Sequence, residues 1–403
     1  MKSSTRERGV SVLAVLFAGV GLAACAGEQY PQTTFRPVTE YGETLNDVFA
    51  NTTWWTMSIM AVVFILIVYV VIRFRERPGQ PPPRQIHGNT KLELVWTMVP
   101  ALIVVAIAVP TVRTIFATQS RAPEDALEIE VIGHQWWWEF RYPALGVVTA
   151  NHLYLPTGRP IHLRMHSADV VHSFWLPRFG GKRDVNPQPR TAEGERPRPN
   201  HLLFTVDEPG AYRGQCAEFC GASHAIMAIS AVAVSPAEFD VWAASMRDTP
   251  ALPAPAASDT TARADAAAAQ APAGAGPDAV PAPAAAGSPQ TGGPLIEQGR
   301  QLFLSRPCVV CHTVANTTAR GVMGPNLTRF GDRPTIGAGA LPNTIENLEA
   351  WIRDPRSVKP GALMPGTQAG APSPAAPNGP PFPATGLTDE EVRAVAAYLS
   401  SLR

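Results

Sequence analysis

The sequence predicts three fold classes in series: a membrane α-hairpin, an all-β sandwich or barrel, and a small all-α domain. Three observations carry this. Two almost wholly apolar runs, Trp54 to Ile72 and Leu94 to Phe116, are each long enough to cross a bilayer as a helix. From Leu127 onward, short segments alternate with period two and are broken by Pro and Gly, the mark of an antiparallel sandwich or barrel. Toward the end, helical patterns over Leu295 to Ser305 and Thr388 to Leu402 bracket a compact unit. A chain of 403 residues has room for two or three domains. Its 33 Lys and Arg balance 33 Asp and Glu, and this neutrality argues against nucleic acid as a partner.

Residues 1–24 read as an export signal: Lys2, Arg6 and Arg8, an apolar run from Val10 to Val20, then Leu22-Ala23-Ala24-Cys25. The run is short for a membrane span. LAAC resembles a bacterial lipobox, which would make Cys25 the lipidated first residue of the mature chain. An ordinary cleavage site near Ala24 is the alternative.

The hairpin occupies residues 25–120, with spans at about 54–72 and 94–116. Trp54 and Trp55 open the first span and Arg73, Arg75 and Arg77 close it. Aromatics at one end and arginines at the other suit a helix entering the cytoplasm. The loop to Lys91 adds Arg84 against Glu76. The second span returns outward despite Pro100 and Pro110, which neighbouring helices accommodate. Everything beyond about residue 120 therefore lies outside the cytoplasm. Glu93, in KLELVWTMVP, sits at the cytoplasmic start of that span. Its bland reading is an interfacial carboxylate, solvated or paired with Lys91.

Residues 121–247 form the β domain, with strands expected at Leu127 to Gly133, Trp136 to Tyr142, His152 to Leu155, Ile161 to His166, His201 to Val206 and Ile226 to Val234. Trp136, Trp137 and Trp138 cannot all face inward on one strand, although at least one belongs to the core. His134, His152, His162, His166 and His201 read as ordinary strand or surface histidines.

The chemistry concentrates in Cys216 to Met227, CAEFCGASHAIM. Cys220, His224 and Met227 bring a thiolate, an imidazole and a thioether to one loop; with a second imidazole this is the ligand set of a blue-copper electron-transfer site. Cys216, four residues before Cys220, adds a second sulfur, so that two thiolates can bridge two copper ions. A plain disulfide, or structural zinc held by two Cys and two His, competes with this reading. Neither explains Met227, for which ordinary core is the competing reading. The missing histidine is best sought in Ala168 to Pro177, ADVVHSFWLP. The five cysteines fall in three chemical motifs, Cys25 alone, Cys216 with Cys220, and Cys308 with Cys311, so no structural disulfide is expected.

Residues 248–293 are dominated by Ala and Pro with scarcely any large apolar side chain, a composition that cannot bury enough surface to fold and reads as a disordered tether. Attachment would raise the effective concentration of the domain at its far end to roughly the millimolar range. That domain, residues 294–403, carries Cys308-Val309-Val310-Cys311-His312, the c-type haem attachment motif, with two thiols for thioether bonds and His312 as proximal ligand. A thioredoxin-like or zinc Cys-x-x-Cys is the competing reading, and no other Cys pair lies nearby to complete a zinc site. Met323 is only eleven residues past His312, too close to reach the opposite haem face, so Met364 in KPGALMPG, after a helix around Thr344 to Arg353, is the expected sixth iron ligand. Thr388 and Glu391 fit a capping box.

The HSFW segment, the CAEFCGASHAIM loop and both spans resemble subunit II of the haem-copper cytochrome c oxidases, and the two helices around CVVCH resemble the crossed terminal helices of class I cytochrome c. The first resemblance implies a Greek-key cupredoxin sandwich carrying a dinuclear copper centre, CuA. Its ligands would be His172, Cys216, Cys220, His224, Met227 and the main-chain carbonyl of Glu218. It implies that the Glu218 carboxylate reaches a magnesium ion shared with subunit I, that Trp136 receives electrons from cytochrome c at the surface, and that Glu93 lies at the mouth of a proton-uptake path. Asp184 and Asp169 match acids lining the subunit I contact. The family's short P-G-R-x-N loop departs here to Pro187-Gln188-Pro189-Arg190 with extra residues to Asn200, which leaves the geometry around Asp184 and Arg190 open. The implied protein is the electron-accepting subunit of a caa3-type oxidase in a bacterial inner membrane. Its haem c and CuA domains would lie on the periplasmic or outer side, and its partners would be subunits I and III and a donor such as cytochrome c or the cytochrome bc1 complex. Electrons would go on to haem a of subunit I, for dioxygen reduction coupled to proton pumping. A membrane-anchored CuA and haem c carrier of a nitric or nitrous oxide reductase system is the alternative. A quinol oxidase subunit II, which lacks copper ligands, is disfavoured by the complete set here.

Overall fold

The computed structural model describes residues 32–75, 78–79, 85, 87–187, 199–247, 293–370 and 383–403. The expected lipidation site Cys25, Arg190 and nearly all of the expected tether lie outside the described residues.

Two long helices come first, α1 (Glu40–Arg73) and α2 (Thr90–Ala117). Both are long and apolar enough to cross a membrane, and side chains such as Phe64, Ile67, Leu102 and Val104 point outward along them. Apolar residues exposed all round a helix suit lipid, where the backbone must satisfy itself. Pro100 and Pro110 lie inside α2 as expected. α1 begins well before Trp54, and its first turn belongs to the β domain. Thr39 caps it by accepting from Gly42 N at 3.0 Å and itself donates to Phe179 O at 2.6 Å. The Glu40 carboxylate accepts from Thr205 N at 2.8 Å. The helix is thereby pinned to the sandwich at its root.

The β domain is two five-stranded sheets. One has the order β3 (Val147–Ala150), β2 (Trp137–Tyr142), β1 (Leu127–His134), β5 (Pro160–Ser167), β8 (Asn200–Thr205). The other runs β4 (His152–Pro156), β10 (Ala228–Val234), β9 (Gly210–Cys216), β6 (His172–Trp175), β7 (Arg183–Val185). Alternation does what the sequence suggests: on β5, Ile161, Leu163 and Met165 are buried between His162, Arg164 and His166. Most pairs are antiparallel, as the sequence suggests, while β1 pairs with β5 and β4 with β10 in parallel. Parallel neighbours need a crossover, and here the chain visits the opposite sheet in between, through β4 on the way from β1 to β5 and through β5 and β8 on the way from β4 to β10. Trp138, Phe140, Phe174 and Leu153 fill the space between the sheets. A further helix, α3 (Pro236–Arg247), closes one end through Trp242 stacked on Tyr154 at 4.5 Å.

The last domain contains α4 (Gly293–Ser305), the single turn α5 (Cys308–Cys311), a small hairpin of β11 (Thr335–Ile336) and β12 (Leu341–Pro342), then α6 (Ile345–Arg353), α7 (Pro355–Val358) and α8 (Asp389–Ser401). Helices α4 and α8 cross so closely that a Cβ on Gly299 would lie 1.9 Å from Ala394 O. Glycine is what permits the approach. Phe303 and Tyr398 pack beside it at 5.7 Å. The Thr388–Glu391 capping box is formed.

Candidate metal and haem centres

The cysteine loop folds between β9 and β10. Cys216 ends β9, a single 3-10 turn spans His224–Ile226, and β10 starts after Met227. This brings the side chains of Cys216, Cys220, His224 and Met227 to one end of the sandwich, where β6 delivers His172 from the neighbouring strand. Cys216 Sγ and Cys220 Sγ are 3.8 Å apart, far beyond the roughly 2.05 Å of a disulfide. His172 Nδ1 lies 3.9 Å from Cys216 Sγ, and His224 Nδ1 lies 3.7 Å from Cys220 Sγ. Met227 Sδ is 3.8 Å from Cys220 Sγ, and the main-chain carbonyl of Glu218 is 3.3 Å from Cys216 Sγ. Cys216, Cys220, Met227 and His172 are all buried.

The charges fit a cation. The hydrogen bond between the two sulfurs holds the Cys216 thiol well below the ordinary value and drives Cys220 above it. Cysteine binds metal as the thiolate. Burial opposes charge on His172, but its bonds to Asp169 and Cys216 outweigh burial and hold it above the ordinary histidine value. Asp169 Oδ1 lies 2.8 Å from His172 Nε2 and also accepts from Val170 N at 2.7 Å, while Asp169 Oδ2 accepts from Gln135 N at 2.7 Å. A carboxylate on the far ring nitrogen leaves Nδ1 for a metal. The sequence points Asp169 toward a subunit contact; in the structure it faces His172. An acid three residues before a suspected ligand histidine is the signal for this in the sequence. Gly133 lets His172 approach, since a Cβ there would sit 2.8 Å from His172 Cδ2.

The three tryptophans take three environments. Trp138 is core, edge-on to Phe174 at 5.6 Å. Trp137 stacks on His134 at 4.1 Å. Trp136 precedes β2 and donates from Nε1 to Cys220 O at 2.9 Å. The expectation of an open surface at Trp136 is corrected, since the residue is only 8% exposed. The cytochrome c-like domain covers it: a Cβ on Gly361 would lie 2.8 Å from Trp136 Cη2, and one on Gly221 would lie 3.0 Å from Trp136 Cζ2. The indole is thus held between a glycine of the copper loop and a glycine of the last domain.

The interface around it is polar and specific. Lys359 Nζ, 4% exposed by residue, donates to the carbonyls of Trp136, Ile226 and Gly337. Burial pushes Lys359 down to about 7. Three carbonyl acceptors, however, need three N–H donors, which the ammonium form alone supplies. Ser223 Oγ donates to Pro360 O at 2.5 Å, Ala228 N to Ala338 O at 3.1 Å, and Arg329 Nη1 to Ser245 O at 2.8 Å. Thr335 Oγ1 pairs with His152 Nε2 at 3.1 Å. Nothing in the local sequence marks Lys359, and His152, which reads there as an ordinary strand histidine, is a buried interface residue.

In the last domain, α5 places Cys308 and Cys311 one turn apart as free thiols. His312 Nδ1 bonds to Pro325 O at 2.8 Å, which leaves Nε2 as the metal-facing nitrogen, and burial keeps the ring below its ordinary value and so neutral. Gly324 lies against the ring, where a Cβ would come within 2.7 Å of His312 Cε1. Met364 packs against the domain core, whereas Met323 is 63% exposed. These donors fit a covalently held haem.

Elsewhere, Glu93 Oε1 accepts from Asn89 N at 3.2 Å across the first turn of α2, and the Glu218 side chain is exposed. Asn200 Nδ2 reaches Asp184 O at 2.8 Å, so the two ends of the divergent loop meet.

Comparison with known proteins agrees along the whole chain. The family model for the cytochrome c oxidase subunit II transmembrane domain matches residues 33–114, that for its periplasmic domain matches 145–234, and that for cytochrome c matches 296–403. Cytochrome c oxidase subunit 2 of Alkalihalophilus pseudofirmus is 32% identical over 397 residues, covering 97% of this chain and 96% of that protein. Cytochrome c oxidase subunit 2 of Bacillus subtilis is 30% identical over 390 residues, 92% of each. Quinol oxidase subunit 2 of Bacillus cereus is 35% identical over 198 residues, 47% of this chain and 65% of that protein. Fold and site thus define a two-span membrane subunit of a terminal oxidase, with a cupredoxin-like domain followed by a cytochrome c domain. The chain belongs to the cytochrome c oxidase subunit II family.

Proposed function

We propose that this chain takes up electrons for a caa3-type cytochrome c oxidase on the outer side of a bacterial cell membrane. Copper held at the cysteine loop and haem c held at CVVCH would supply the one-electron chemistry. His172, Cys216, Cys220, His224 and Met227 would hold a dinuclear CuA site, with the Glu218 carbonyl as a further donor. The observation that carries this reading is the pairing of each imidazole with a different sulfur, at 3.9 and 3.7 Å, while the sulfurs lie 3.8 Å apart. A single zinc ion has no use for the buried Met227 thioether, which suits copper in a low oxidation state. A rigid sandwich fixes these donors in position, so little reorganisation accompanies a change of charge.

Cys308 and Cys311 would attach haem c, with His312 and Met364 as axial ligands; methionine opposite histidine raises the haem potential. Trp136, which touches both the cysteine loop and Gly361 of the last domain, would be the group through which electrons reach the copper loop. Onward transfer to haem a of subunit I, dioxygen reduction and proton pumping belong to the partner subunits, with subunit III completing the complex. Glu93 would stand at the mouth of the proton-uptake path and the Glu218 carboxylate would share a magnesium ion with subunit I. Cys25 would carry a lipid, and the donor would be a small cytochrome c or the cytochrome bc1 complex. The full-length match to oxidase subunits lends no support to a nitric or nitrous oxide reductase, and the copper donors speak against a quinol oxidase.

The test is purification of the complex from native membranes. Haem a and a large polytopic partner should accompany the chain, and Cys220→Ser should abolish oxygen uptake driven by reduced cytochrome c. A complex without haem a that reduces a nitrogen oxide would refute the reading.

A further inference from the structure

Lys359 is the feature that the oxidase function leaves unexplained. An ammonium is rarely buried, because leaving water costs it several kcal/mol unless its protons find acceptors. Here all three do, and they lie on two domains: Trp136 O and Ile226 O on the copper domain, Gly337 O on its own. Both copper-domain carbonyls adjoin the metal loop, Ile226 directly before Met227. Two residues beyond Lys359, Gly361 adopts φ +81 and lies against the Trp136 ring. Between them, Pro360 O accepts the Ser223 hydroxyl at 2.5 Å. Three consecutive residues of the cytochrome c domain are therefore registered on Trp136 and the loop behind it, and Lys359 itself stands five positions before Met364.

We propose that Lys359 is a positioning residue, a buried latch that holds the cytochrome c domain on the copper domain with its 359–361 segment seated on Trp136. The proposal rests on the electron-transfer reading above and deepens it. The latch selects one docking geometry of the two domains. It also closes the Trp136 face to an external protein while it is engaged, so a soluble cytochrome must deliver its electron to haem c.

If the Lys359 amino group is removed, Trp136 O, Ile226 O and Gly337 O lose this donor, and water can replace it only where the domains separate. The test is transient reduction of haem c in the assembled, full-length oxidase, followed optically as the electron moves to copper. Lys359→Met should slow that step by about tenfold or more. The haem c and copper spectra should be unchanged, and hydrogen exchange of the Ala228 amide, which bonds across the interface to Ala338 O at 3.1 Å, should speed up. Thr335→Val, which removes one peripheral neutral bond to His152, should slow transfer by a smaller factor, roughly two- to threefold. A Lys359→Met rate and Ala228 exchange within about twofold of the wild type would overturn the latch, since a loosened interface forfeits far more. So would loss of copper or haem from that variant, which would make Lys359 a residue of internal stability. Absence of haem-to-copper transfer in the wild-type chain would instead sink the functional reading itself.

Discussion

The Trp136 indole donates to the main-chain carbonyl of Cys220 at 2.9 Å, while the other edge of its ring meets Gly361 of the cytochrome c domain. One side chain thus touches both the copper loop and its covering partner. Trp136→Phe removes the donor but keeps a ring, and Cys220 O retains the Gln135 Nε2 bond at 2.7 Å. Copper content should therefore be unchanged, while haem-to-copper transfer should slow by about tenfold, as expected when a positioned contact is lost. Metal analysis and transient absorption check the two halves.

Asp169 acts through His172. Asp169→Asn keeps the shape but removes the negative charge beside Nε2. Outer-shell partners of this kind are worth roughly 10- to 100-fold in metal affinity. Copper titration against a competing chelator should show that weakening, with Thr335→Val as an unaffected control remote from the loop.

Legibility in the sequence varies with the range of the interaction. The candidate donors of the loop are close in sequence, and their thiolate, imidazole and thioether spacing draws attention to them. Strands β5 and β10 alternate cleanly. β7 is three residues long and β6, at His172–Trp175, buries three residues in a row, so neither shows period two. The parallel β1–β5 and β4–β10 pairs depend on register between distant segments. Lys359 reads locally as one residue of a polar turn; its acceptors Trp136 and Ile226 lie far away along the chain. Trp136 is recognisable by its place in the aromatic cluster, but its burial depends on a domain far along the chain.

The interface should be sensitive to acid. Burial, with Arg333 nearby, lowers His152 to about 4, against an ordinary 6.5, while the bond to Ala150 O pulls weakly upward. A neutral imidazole in the docked state must take up a proton when exposed. Its contribution is therefore complete above pH 6.5 and lost progressively as pH falls toward 4, and amounts to about 3 kcal/mol. Denaturant midpoints of the extramembrane domains should fall over that window, and His152→Gln should flatten the fall.

Helix crossing in the cytochrome c domain tolerates nothing larger than glycine at position 299, where a Cβ would lie 1.9 Å from Ala394 O. Gly299→Val should cost about 3 kcal/mol through overpacking. Thermal unfolding followed by haem absorbance would show it, with the copper spectrum unaffected.

The most direct test is metal and haem analysis of the purified chain with electron paramagnetic resonance. A dinuclear site predicts about two copper atoms and one haem per chain, with a single unpaired electron shared between the coppers. It also predicts loss of that signal on Cys216→Ser. Zinc in place of copper, one isolated copper, or a signal indifferent to Cys216→Ser would contradict the assignment.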